Sequence, residues 1–380
     1  MSIHPNVVEI VKLITSEIKT RQEKKDKWAS FKKLHADQFK SLLELDETTV
    51  QNAGNLIGFD IDESRDLIII NYTGSAHYTL HEHIGGWTNC LKDIRGLVYE
   101  FGNGEPRLVS RGFEKFFNYN EVGETNCDLL RAKHGDKKFV CREKADGHMV
   151  EYYVHRGELC ASTRGRFGAP SADIANGMLD LSDFQQVEKT LNKKVMSIVV
   201  ELVHPSTKVF VDYDDAEKLY LLAAYDSDGN KLLLSEIEHI CVEMPHTFIA
   251  PNSRDMTLDE IISEVNKREV SNHEGWVADF DGQLVKFKYI SYIGLMVESR
   301  LSYKYIMNCI KNNRLDKMLF TLPEEIRGTA YNMVDIVERA GYDSVMNSDH
   351  KLLYKLYSAL EGGESYFRTV CRSYFKFLTT

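Results

Sequence analysis

Lys144 lies in the string Glu143-Lys144-Ala145-Asp146-Gly147, and a strand-like run from Met149 to Val154 follows it. A lysine beside an acid and a glycine has the form of an amine nucleophile aimed at a nucleotide phosphate. Lysine normally holds a proton near neutral pH, and only the free amine can attack. A partly buried setting with other cations nearby lowers its pKa and frees that amine. Gly147 would let the backbone approach a ligand closely. The string alone is short enough to arise by chance; the rest of the chain gives it weight.

Several polar motifs sit at the ends of β-rich runs, where a core does not need them. Arg95-Gly96 precedes one such run, and Ser110 to Asn118 packs an arginine and a lysine between aromatics. Ser162-Thr163-Arg164-Gly165 follows the hairpin after Lys144. Glu201 lies inside the apolar run Ile198–Val203, where an unpaired carboxylate is costly. Glu274-Gly275-Trp276 opens another strand, and Lys286 and Lys288 alternate, so both face one side of theirs. Each has a plainer reading: Glu201 could pair with a structural arginine, and Lys286 and Lys288 could be a solvated strand face. Together they make a coherent triphosphate site. Lys286, Lys288 and Arg95 supply cations for the phosphates. Glu274 helps hold a divalent metal through oxygen or water. Glu201 binds the ribose hydroxyls, and Lys144 attacks the α-phosphate.

The elements that must position these residues can be read from periodicity. Val7, Val8, Val11, Ile14 and Ile18 recur at helical spacing, so the chain opens with an amphipathic helix. β-rich runs follow at Leu67–Tyr72, Gly96–Phe101, Arg107–Ser110, Val150–Val154, Leu159–Thr163, Ser197–Val203, Leu219–Tyr225, Lys231–Leu234, Val277–Phe280 and Leu284–Phe287. Arg156-Gly157, Asp228-Gly229 and Asp281-Gly282 join neighbouring runs as hairpin turns. Helical pattern intervenes at Ala172–Leu181 and Leu258–Arg268 and resumes after Tyr292. There Pro323 suits a helix start, Gly341 its end and Ser348 an N-cap. Apolar stripes at Leu352–Leu360 and Tyr366–Leu378 read as helix-bundle core.

Composition narrows the function classes. The 380 residues suffice for one large domain and a smaller one. No apolar run reaches the ~20 residues of a membrane span, and the N-terminus lacks a secretion pattern, so the cytoplasm is the expected compartment. Seven scattered cysteines argue against a disulfide framework and structural zinc. A net charge of -10 argues against a nonspecific nucleic-acid coat but leaves room for a local basic groove. The lysine-rich segment Lys19–Lys33 reads more readily as a solvated helix face than as an RNA-contacting arm.

The order Lys-x-Asp-Gly, buried Glu, Glu-Gly-Trp and Lys-x-Lys is similar to that of the covalent nucleotidyltransferases: DNA ligases, RNA ligases and mRNA capping enzymes. Within these the chain most resembles the RNA ligase 1 family, the phage tRNA-repair type. Three blocks carry the resemblance. They are Arg95-Gly-Leu-Val-Tyr-Glu with Glu114-Lys115-Phe-Phe-Asn-Tyr-Asn-Glu121, Glu201 to Val209, and Glu274-Gly-Trp-Val through Lys286-Phe-Lys288 to Tyr292. It spans roughly Asn71 to Tyr292.

The resemblance implies an α+β fold: an adenylation domain of antiparallel sheets with flanking helices, then an all-helical C-terminal domain. The expected division is 1–60 as a helical extension packing on the catalytic domain, 61–295 as the adenylyltransferase domain and 296–380 as the helical domain. It implies ATP as AMP donor with Mg2+ or Mn2+, a lysyl-AMP intermediate on Lys144, and RNA with 5′-phosphate and 3′-hydroxyl ends, cleaved tRNA among them. Tyr72, Arg95, Lys115, Glu201, Lys286 and Lys288 would surround the nucleotide. Glu274 and Asp316 would serve the metal, with Asp316 alternatively touching RNA, and Arg164 and Tyr292 would lie nearer RNA or phosphates. A monomer, served by a separate end-healing kinase/phosphatase, is expected.

Two positions depart from the family pattern: His148 stands for its serine, and Arg164 for a lysine. A DNA ligase or capping guanylyltransferase would carry an arginine soon after Lys-x-Asp-Gly and a β-barrel after Lys-x-Lys. His148-Met149-Val150 and a helical pattern stand there instead. A non-catalytic RNA-binding relative is the third reading, disfavoured because Lys144, Glu201, Glu274, Lys286 and Lys288 are retained together in one chain.

Overall fold

A computed structural model describes residues 3–45, 53–74, 76, 79–80, 87–102, 104–301, 305–306, 309–310 and 314–340. The expected features at Gly341, Ser348, Leu352–Leu360 and Tyr366–Leu378 lie outside the described residues. The chain divides into two compact units: Met1–Ile261 with Glu274–Phe287, and Ile262–His273 with Lys288–Thr380.

The first unit opens with helices α1 (Pro5–Thr15), α2 (Arg21–Leu34) and α3 (Ala36–Leu42). α1 buries Val7, Ile10, Val11 and Ile14, the stripe its spacing demands. α2 starts at a reciprocal capping box between Thr20 and Glu23, buries Phe31 and leaves Lys25, Lys27 and Lys33 exposed. The helical opening stops before residue 57, because β1 (Ile57–Asp62) pairs with β2 (Leu67–Tyr72). β3 (Arg95–Glu100) and β4 (Arg107–Ser110) complete an antiparallel four-stranded sheet. One face of this sheet packs on the helices through Phe59, Ile61, Ile68 and Ile70; Leu67, Ile69 and Val98 on the other meet Tyr153 and Cys160.

A second four-stranded sheet has the order β10 (Lys218–Asp226), β9 (Val195–Val203), β7 (His148–His155), β8 (Glu158–Thr163). Its two faces differ. Val150, Tyr152, Ile198, Val200 and Leu202 face an apolar core with the helices Pro170–Asn176, Leu181–Leu191 and Leu234–Glu243. The opposite face carries Met149, Glu151, Val199 and Glu201 by strict alternation. A third, five-stranded sheet has the order β11 (Ser253–Met256), β6 (Phe139–Lys144), β12 (Gly275–Phe280), β13 (Gln283–Lys288), β5 (Phe117–Asn118). Arg142 on β6 donates to the Leu222 carbonyl of β10 at 2.7 Å, tying the second and third sheets together.

The molecule is thus mixed α+β, with largely antiparallel sheets. One pair departs from expectation: β13 and β5 run parallel, Val285 opposite Phe117 and Lys286 opposite Asn118. The expected strand Lys231–Leu234 is also absent. Lys231 makes a single bridge to Tyr225, and Leu234 already begins a helix, with Glu236 accepting from the Leu233 amide. In the second unit the described residues include helices at Ile290–Arg300, Leu315–Thr321 and Glu324–Ala340.

Candidate active site

Lys144 is the last residue of β6, and the pairing of β6 with β12 sets it directly opposite Gly275. That register brings Glu274, just ahead of β12, alongside the lysine: Nζ donates to Glu274 Oε2 at 2.8 Å. Glu274 is only 4 % exposed and the lysine side chain 23 %. A buried carboxylate of this kind must be paired to be tolerated, and Lys144 supplies the pair.

Gly147 turns the chain from β6 into β7 at the only spacing the neighbouring strand allows. A β-carbon there would stand 2.2 Å from the Leu202 carbonyl oxygen. Its amide donates to Glu201 Oε1 at 3.2 Å. Burial of the Glu201 carboxyl pushes its pKa up to about 7, with Lys144 pulling it down and Glu274 and Asp146 pushing further up. The charge of Glu201 is therefore tied to the Lys144–Glu274 pair. Asp146 has a different task. Its Oδ2 accepts from the Phe210 and Val211 amides at 2.8 and 2.7 Å, and its own amide donates to the Tyr213 hydroxyl at 2.9 Å. It closes the loop that leaves β9.

Arg95 extends over the same sheet face as Glu201. Met149 stands opposite Glu201 in the β7–β9 register, and Arg95 Nη1 lies 3.6 Å from its sulfur and 3.2 Å from the Phe113 carbonyl. The Arg95 guanidinium is 5.6 Å and the Lys286 ammonium 5.4 Å from the centre of the Phe116 ring. One aromatic ring thus gathers two cations that sequence alone could only list, a cation–π arrangement that holds them together despite like charge.

Tyr72, Lys115 and Arg164 form a third group. Arg164 donates to the Tyr72 hydroxyl at 2.9 Å. Lys115 is 4 % exposed, sits 4.6 Å from the Phe117 ring and 5.4 Å from that of Trp87, and has Glu121 at 3.5 Å. So the structure encloses Lys115 in an aromatic cage with an acid, a far more buried setting than Lys286. Lys288, Tyr292 and Asp316 belong to the second unit. There the Lys288 ammonium stands 5.3 Å over the Tyr292 ring, and Asp316 is exposed in the first turn of Leu315–Thr321.

The sequence reading missed Phe116 as a cation platform, Trp87 and Glu121 as the cage of Lys115, and Asp146 as a loop anchor. Phe116 and Glu121 were visible within the Lys115-Phe-Phe-Asn block; Trp87 carried no signal. Among the described residues no group of three or more His, Cys, Asp or Glu side chains forms a metal cage. The donor set near Lys144, two carboxylates and no sulfur, suits a hard cation completed by phosphate oxygens and water.

The chain is similar to known proteins over part of its length. Residues 93–292 match the family model described as RNA ligase. A Thermovibrio ammonificans protein named "Putative RNA ligase" is 30% identical over 225 residues, 59% of this chain and 55% of that one. RNA ligase 1 of bacteriophage TS2126 is 25% identical over 204 residues, 52% of this chain and 50% of the relative. The match therefore spans about half the length of these curated relatives. Among solved structures, an archaeal ATP-dependent RNA ligase has a TM-score of 0.46 at 14% identity, over 80% of this chain and 72% of that one.

Proposed function

The chain belongs to the RNA ligase family, and we propose on that premise that it is an ATP-dependent ligase that seals 5′-phosphate and 3′-hydroxyl RNA ends through a lysyl-AMP intermediate. The observation that carries this reading is the Lys144–Glu274 pair at 2.8 Å, with Glu201 and the Gly147 amide against it. In the first step the Lys144 amine, having given up its proton to solvent, forms a bond to the α-phosphorus. The bond to the bridging oxygen breaks and pyrophosphate leaves. Glu274 holds Nζ in place for that attack. Glu201 suits the ribose hydroxyls, and Arg95 with Lys286 neutralises charge on the departing phosphates. Lys288, Tyr292, Lys115, Tyr72 and Arg164 are proposed to complete the nucleotide and RNA contacts. A Mg2+ or Mn2+ ion held through Glu274 and phosphate oxygens would supply additional charge neutralisation when bound, and Asp316 is proposed by itself as a metal or RNA contact. The AMP then passes to the RNA 5′-phosphate, and the 3′-hydroxyl displaces it as the strand closes.

An all-helical C-terminal domain from 296 on, a role in RNA or tRNA repair, a monomeric state, a separate end-healing enzyme and a cytoplasmic site of action are parts of the same proposal. No helix among the described residues is long and apolar enough to cross a membrane. The test is incubation with ATP, then GTP, labelled on the α-phosphate, followed by sealing of RNA and of DNA ends. Covalent AMP with RNA sealing supports the reading. Covalent GMP, preference for DNA, or no adduct overturns it.

A further inference from the structure

Glu151 is a carboxylic acid with no part in the chemistry above, and it is entirely buried. It sits two positions after Met149 on β7, on the sheet face that carries Glu201. Its carboxyl occupies a notch between two stretches of backbone. A β-carbon at Gly96 would come within 2.7 Å of Oε1, and one at Gly112 within 2.3 Å. Only glycine at both places leaves room for it. The Ser110 hydroxyl donates to Oε2 at 2.9 Å, while Oε1 has no hydrogen-bond partner among the described residues. The groups that face it are Ser110 and Arg111 from the end of β4 and beyond, Arg95 from β3, Tyr225 from β10, Tyr153 on its own strand and Ser162 opposite it on β8.

The two stretches that grip Glu151 also carry Arg95 and the Phe116 ring that gathers the phosphate-side cations. Gly96 follows Arg95; Gly112 precedes Phe113, whose carbonyl receives Arg95, and Phe116, whose ring gathers Arg95 and Lys286. We propose that Glu151 is a positioning residue for the nucleotide step: wedged between Gly96 and Gly112 and held by Ser110, its carboxyl sets the spacing of the Arg95 and Phe113–Phe116 segments, and through them the cation pair that receives the triphosphate. The wedge works as the neutral acid. Burial raises its pKa to about 8, outweighing the Ser110 hydrogen bond and the Arg95 and Arg111 charges, which favour the ionised form. Ionisation would place a poorly solvated anion between the two segments and draw both guanidinium groups toward it.

This rests on the ligase reading above, and the experiment separates the two. Wild type, Glu151→Gln and Glu151→Ala are compared for covalent AMP formation against ATP concentration, for sealing of pre-adenylylated RNA, and for backbone hydrogen exchange without nucleotide. Glutamine is the isostere of the neutral acid and should match wild type below about pH 8. Above it, glutamine should keep an adduct rate that wild type loses. Alanine should raise the KM for ATP and slow adduct formation on the order of 10²-fold, the effect of a misplaced positioning group. Sealing of pre-adenylylated RNA should fall much less, and exchange should quicken at 95–97 and 112–116 in alanine alone. Equal loss in both reactions, or unchanged exchange there, overturns the assignment. If wild type forms no adduct the ligase reading fails, and the exchange comparison still decides whether Glu151 sets these segments.

Discussion

Gly147 and the carbonyl of Leu202 are in such close register that a β-carbon on Gly147 would lie 2.2 Å from the oxygen and 2.9 Å from the carbonyl carbon. Both contacts are backbone, so no side chain can swing away. Gly147→Ala must move β7 or β9, and overpacking of this kind costs ~1–3 kcal/mol. The same shift would displace Glu201, whose carboxylate the Gly147 amide meets. The expected outcome is a lower melting temperature with an adduct yield reduced beyond the loss of folded protein. An alanine variant with wild-type melting and labelling would contradict the close approach.

Lys144→Ala should abolish the covalent AMP adduct, since no neighbouring side chain can take the nucleophile's place. Lys144→Arg should fail as well, because a guanidinium keeps its proton at any working pH. Labelled protein, separated under denaturing conditions, reports both directly. Either variant reacting at a normal rate would show that the nucleophile lies elsewhere. Alanine also takes the Lys144 ammonium away from the buried Glu274 carboxylate, so a stability loss beside the chemical one is expected.

Lys286 shares the Phe116 ring with Arg95, which places it on the proposed phosphate side. Lys286→Ala should slow adduct formation by ~10²–10³, the usual effect of removing one charge-stabilising contact. Sealing of pre-adenylylated RNA does not need the triphosphate held and should be less affected. Comparable losses in the two assays would point instead to damaged packing or to an RNA contact.

How far the sequence told this in advance depends on the kind of residue. Lys144, Glu201, Glu274 and Lys286 were legible because each is polar where an apolar residue or a turn was expected, and burying charge without purpose is costly. Lys115 was legible as a motif but not as a buried residue, because Trp87 and Tyr72, which enclose it, are distant in sequence. Glu151 reads in the sequence as the polar member of an alternating strand. Nothing local reveals that both faces of its sheet are covered. β6 escaped because Cys141-Arg142-Glu143-Lys144 looks like polar loop, though Phe139 and Cys141 are buried. The strand forms because β11 and β12 flank it on both sides. β5, two residues long, exists only through its pairing with β13.

Glu151 also gives folding stability a pH dependence of definite sign. Its pKa rises from 4.5 to about 8 on folding, so between those values the native state holds a proton that the unfolded chain has lost. Its contribution is fully present below about pH 4.5 and drains away as pH climbs toward 8. That interval, at ~1.4 kcal/mol per pH unit, sets a ceiling of ~5 kcal/mol. Glu151→Gln removes the proton and hence the slope. Chemical denaturation at pH 6 and pH 8 should therefore show the variant gaining stability over wild type at the higher pH. Parallel curves would mean that the acid is already ionised in the fold.

Asp146 offers the sharpest separation of scaffold from chemistry, because it is two residues from the nucleophile and yet bonded to a loop. Its single oxygen Oδ2 takes both the Phe210 and the Val211 amide. Asp146→Ala takes this acceptor from both amides, at roughly 1–3 kcal/mol for each that stays buried and unsatisfied. Asp146→Asn keeps an oxygen for them and loses only the added strength of a charged acceptor, about 1 kcal/mol per bond. If the role is anchorage, alanine should lower the melting temperature and speed amide exchange in the Pro205–Glu217 segment, while asparagine keeps most of the stability and most of the adduct yield. A charge needed at the reacting phosphate would give a different pattern: asparagine would melt like wild type and label as poorly as alanine. The two bonds to the loop amides favour the first outcome.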